Sequence, residues 1–73
     1  MPKLAEHFET MPAAEVLRIR EALQLTQGEL AVLLGMRHRS QVARLESGER
    51  SVRGATLILL RQLQEEADLR RRN

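Results

Sequence analysis

The chain has 73 residues, carries 12 Lys and Arg against 10 Asp and Glu, and contains no cysteine. Disulfides and thiolate metal sites are excluded, a reducing compartment is natural, and the two histidines, His7 and His38, lie too far apart in sequence to suggest a metal site. The single aromatic residue, Phe8, argues against a stacking platform for single-stranded nucleic acid and against most β architectures, and no apolar run approaches the roughly 20 residues of a membrane span.

Leu, Ala, Arg, Glu and Gln dominate, a helix-forming composition, so the expected class is all-α: a four- to five-helix bundle in one domain over residues 1–73. Residues 1–11 read as an N-terminal arm or a short helix. Pro12 marks a fresh helix start, with Glu15 near its positive end. Val16, Ile19 and Leu23 then follow helical spacing over residues 12–24, with Arg18 and Glu21 facing out. Thr26-Gln27-Gly28-Glu29 is a capping box, and it opens a second helix over 27–34 with Leu30, Leu33 and Leu34 inward and Ala31 small. Gly35 is the left-handed stop. Met36-Arg37-His38 connects to a third helix over 39–47, whose apolar pair is Val42 and Leu45 and whose outward residues are Arg39, Gln41 and Arg44. Gly48 ends it, and a polar, basic loop covers 49–53. Gly54 opens a fourth helix that runs until the arginine tail at 70–73 frays.

That fourth helix is apolar over more of its circumference than one small core can cover. Leu57, Leu59, Leu60, Leu63 and Ala67 span a broad arc, with Ile58 and Leu69 opposite. A chain this short buries only about 60% of its unfolded surface, so a second copy is the natural cover, with Ile58, Leu59 and Leu63 as interface candidates.

Charge is unevenly placed. Residues 1–36 hold three basic residues against five acidic, whereas 37–53 hold five, all arginine, against two. A solvated face has that composition too, but Arg also makes paired hydrogen bonds to phosphate and guanine. Two short helices joined by a tight turn, the second carrying Arg and Gln outward, make the shape of a helix-turn-helix, with the outer face of 39–44 free to enter a major groove.

Leu25-Thr26-Gln27-Gly28-Glu29-Leu30-Ala31, Leu34-Gly35, and Val42-Ala43-Arg44-Leu45-Glu46-Ser47-Gly48-Glu49-Arg50 together resemble the Cro/C1-type (XRE-like) helix-turn-helix family. The compact form is similar to short phage, prophage and antitoxin-type regulators, including autorepressors that accompany anti-CRISPR genes. One departure stands out: the turn at 36–38 is one residue longer than the commonest family spacing, which leaves the first recognition position defined to within one residue.

The resemblance implies that Arg39, Ser40, Gln41 and Arg44 read base edges. It places Gln27, Ser47, Arg50, Ser51 and Arg53 along the DNA backbone, with Arg37 and His38 at the helix start beside it. Arg20 and Glu46 match a partly buried salt bridge of the family. The implied function is a sequence-specific regulator of double-stranded DNA, a homodimeric repressor or autorepressor on an inverted-repeat operator. The alternative is an antitoxin-like module that binds a partner protein through its C-terminal helix, with DNA binding secondary. No nucleophile–base set, carboxylate pair or phosphate-cradling glycine loop is present, so no enzyme, cofactor, metal or small-molecule ligand is expected. The expected location is cytoplasmic, with no membrane partner.

Overall fold

The computed structural model describes residues 9–72. Four helices carry it: α1, Ala13–Ala22; α2, Gln27–Leu33; α3, Arg39–Ser47; and α4, Gly54–Arg72. The fold is all-α; among the described residues the β pairing is one antiparallel bridge between Met11 and Val52. Helix α3 packs on both α1 and α2, while α4 packs on α1. No described helix is long and apolar enough to cross a membrane.

The helix ends follow from local chemistry. Thr26 Oγ1 accepts from the Glu29 amide at 3.0 Å and Glu29 Oε1 accepts from the Thr26 amide at 2.8 Å, so two otherwise orphaned donors at the start of α2 are satisfied reciprocally. Gly35, at φ 70°, closes α2: its amide donates to the Val32 carbonyl and the Met36 amide to the Ala31 carbonyl, the double bond of a Schellman turn. Helix α1 ends the same way but earlier than the periodicity predicts, at Ala22. Gln24 takes the left-handed position at φ 57°, its amide bonded to Glu21 O and the Leu25 amide to Arg20 O. A non-glycine residue pays a local steric cost there, of about 1–2 kcal/mol.

The core holds Val16 and Ile19 of α1, Leu30, Ala31 and Leu34 of α2 and its cap, Val42 and Leu45 of α3, and Leu57, Leu60 and Ala67 of α4, with Met11, Leu23 and Val52 completing it. Three sequence expectations need correction. Leu33 is not inward; it is 50% exposed, because residues 100° apart on a two-turn helix cannot all face one core. Val52, inside the loop read as polar, is 1% exposed and seals the core beside Met11. The tail expected to fray over 70–73 is helical through Arg72: cationic side chains favour the negative end of a helix, and Arg70 Nε lies 3.9 Å from Glu66 Oε1 one turn back. Asn73 and residues 1–8 of the expected arm or short helix lie outside the described residues. Within 9–11 the chain is not helical, and Met11 is core.

Helices α1 and α4 are also joined by polar contacts between residues some fifty positions apart. Arg18 sits between Glu15, at 2.6 Å, and Asp68, at 3.1 Å, and Gln64 Nε2 donates to Glu15 Oε2 at 2.7 Å. Arg61 of α4 pairs with Glu9. Hydrogen bonding from Arg18, with a further bond from Gln64, outweighs partial burial and holds the Glu15 carboxyl down at about 2. A folded pKa below the unfolded one means that the unfolded chain binds more protons as pH falls. The Glu15 contribution is therefore complete above about 4.5 and is lost as pH falls towards about 2. Urea midpoints of wild type should fall more steeply through that range than those of Glu15→Gln; parallel curves would show that the carboxylate stabilises nothing.

Candidate nucleic-acid interface

Helix α3 is amphipathic in a way that assigns its faces. Val42 and Leu45 are buried against α1 and α2, leaving Arg39, Ser40 and Arg44 exposed on the outer side. Arg39 and Ser40 occupy the first two helical positions and Arg44 the last turn. Gly48, at φ 83°, then turns the chain into a loop where Arg50, Ser51 and Arg53 are all exposed. Among the described residues, no carboxylate pairs with Arg37, Arg39, Arg44, Arg50 or Arg53. The positive charge of 37–53 is thus presented outward, in contrast to Arg18 and Arg20, which are paired with carboxylates of the protein itself.

The platform beneath α3 is a three-helix polar knot. Arg20 of α1 donates from Nε to Glu46 Oε2 at 2.5 Å and from Nη2 to Glu46 Oε1 at 3.2 Å. Its Nη1 donates to the Leu25 carbonyl at 3.0 Å, tying the α1–α2 turn to the same group. Gln27 Nε2 of α2 donates to Glu46 Oε1 at 3.1 Å. The side chains of Arg20 and Glu46 are only 18% and 8% exposed, and the hydrogen bond to Glu46 raises the Arg20 pKa against the opposing effect of burial. Gln27 thus starts α2 with one amide proton on Glu46 and the other available to an anion.

Two other candidates carry side-chain hydrogen bonds to nearby backbone. Gln41 Oε1 accepts from the amides of Arg37, at 3.0 Å, and His38, at 3.3 Å. Ser47 Oγ donates to the Arg44 carbonyl and accepts from the Glu49 amide, so it caps the end of α3. His38 is the exposed N-cap of α3. On α4, Ile58 is 55% and Leu69 54% exposed, while Leu59 and Leu63 are half-buried against the core. Sequence reasoning missed a second exposed apolar pair, Val32 at 75% and Leu33 at 50% on α2. A count of apolar residues per turn is the signal for it, because Leu30 and Leu34 already fill the inward face. Among the described residues no three His, Asp or Glu groups gather as a metal would require.

Two short helices packed through a tight glycine turn, the second exposing arginines along its free face, define a helix-turn-helix. Residues 16–69 match the family model described as helix-turn-helix, and the chain belongs to that family, in its Cro/C1-type (XRE-like) form. It is a DNA-binding regulator whose partner is double-stranded DNA. No curated protein and no solved structure matches the chain.

Proposed function

We propose that the protein is a sequence-specific transcriptional repressor that binds an inverted-repeat operator as a homodimer, and that α3 is its reading element. The observation that carries this reading is the exposure of Arg39, Ser40 and Arg44 on a helix whose opposite face is locked to α1 and α2. A rigid helix with free guanidinium groups suits guanine edges, where Arg can donate to both O6 and N7. Arg50 and Arg53 in the following loop, Gln27 at the start of α2, and Arg37 and His38 at the start of α3 are assigned to the phosphate backbone. Ser51 shares the loop, and Ser47 serves it by shaping its first turn. No enzymatic activity, cofactor or small-molecule effector enters this reading.

Dimerisation rests on α4. Ile58 and Leu69 lie eleven residues apart, about 20° from one another around the helix, so they share a face. Gln62 and Glu65 lie between them along it, which makes a second α4 with its own mixed surface a better cover than a lipid or a large apolar partner.

Binding should weaken steeply with salt, each neutralised phosphate adding about −0.9 to the log–log slope on duplex DNA. Arg50→Ala should lower affinity on all sequences alike and flatten that slope by about one unit. Altered base preference with an unchanged slope, measured by fluorescence anisotropy across a salt series, would move Arg50 from the backbone to the bases.

A further inference from the structure

The turn between α2 and α3 is held by Gln41, and this restricts what Gln41 can read. Its Oε1 accepts from two successive backbone amides, Arg37 at 3.0 Å and His38 at 3.3 Å, while the Gln41 backbone N–H donates to the His38 carbonyl at 3.0 Å. The side chain is therefore the clamp of the Met36-Arg37-His38 segment, and one carbonyl oxygen with two lone pairs is fully occupied. The Nε2 group keeps its two protons. A glutamine that reads adenine must present both ends, donating to N7 and accepting from N6. In this chain the accepting end is turned back on the backbone, and moving it to a base would leave two amides at the start of α3 without their partner.

We infer that Gln41 is a donor-only reader that pairs with an acceptor edge of the major groove, guanine O6 and N7 or thymine O4, while its carbonyl positions the α2–α3 turn. This inference rests on α3 being the reading element. It adds a rule that the residue type alone does not contain: the base opposite Gln41 is recognised only through acceptors, which favours guanine or thymine over adenine, whose N7 stands beside an amino donor that Gln41 cannot accept from.

Two measurements test it. The first uses the free protein. Amide hydrogen exchange at Arg37 and His38 should be slow in wild type and in Gln41→Glu, whose carboxylate keeps the acceptor, and fast in Gln41→Ala. Equal exchange in all three would overturn the clamp. The second uses the tightest duplex recovered by selection from a random-sequence pool, with each adenine replaced in turn by purine, which lacks the 6-amino group. Every such loss should be the same in wild type and Gln41→Ala. Both Gln41 variants should lose about five- to 150-fold of preference at one guanine or thymine position, since neither retains the donor. An adenine whose amino group matters about five- to 150-fold to wild type and not to Gln41→Ala would overturn the donor-only assignment while leaving α3 as the reader. A pool that returns no preferred sequence would overturn the α3 reading and the base assignment with it, whatever the exchange rates show about the clamp.

Discussion

Arg20→Ala should destabilise the protein by about 3 kcal/mol, the lower end of the range for breaking a buried ion pair, because the pair is shielded without being fully dry. For a chain of this size that is a melting shift of roughly 12–24 °C. The loss has three parts: Glu46 is left inside without its counter-charge, the Leu25 carbonyl loses a donor, and Gln27 is left alone on the carboxylate. At about 0.05–0.15 kcal/mol per residue the whole chain has only about 4–11 kcal/mol of stability, so the loss removes a large fraction of it. The paired change Arg20→Met with Glu46→Leu separates charge loss from packing loss, since apolar replacement of a whole buried pair is often neutral or stabilising. Recovery of the melting temperature in the double variant is the expected result. An Arg20→Ala protein that melts with wild type in calorimetry would show that the knot carries no stability.

The second large effect concerns assembly. Leu59 and Leu63 are half-buried against the protein's own core, so replacing them would damage fold and interface together. Ile58 is 55% exposed and is the better probe. Ile58→Glu should leave helicity and melting nearly unchanged, yield monomers in light scattering, and weaken operator binding by about 10²- to 10⁴-fold. That is the avidity lost when two linked half-sites become one. The operator should place those half-sites about 34 Å apart, one helical turn of DNA. Wild type that is already monomeric at micromolar concentration would contradict the homodimer and leave the α4 face for a protein partner, as an antitoxin-like module would require.

What could be read from the chain, and what could not, divides along physical lines. Periodicity and punctuation are local. The Thr26–Glu29 capping box, the stops at Gly35 and Gly48, and the inward set Val16, Ile19, Leu30, Val42 and Leu45 are visible in windows shorter than a dozen residues. Val52 was hidden because a lone valine between Ser51 and Arg53 has no period, and its burial depends on Met11, far away in sequence. Leu33 was misplaced because a run of apolar residues on a seven-residue helix does not say which members lose. The polar joints between α1 and α4 link residues 49 and 50 positions apart, and no spacing rule reaches that far. At the interface, residue types pointed to the face of α3. They did not reveal that Gln41 and Ser47 turn their polar atoms back on nearby backbone, because such bonds depend on rotamer and turn geometry rather than on pattern.

The most direct test of α3 as the reading element is a double cycle of Arg39→Ala and Arg44→Ala against each base of the half-site found by selection from random DNA. At least one guanine is expected whose replacement costs wild type about 1–3 kcal/mol and costs one of the two variants almost nothing, with nonspecific binding retained. Two alanine variants that keep every base preference of wild type would contradict it.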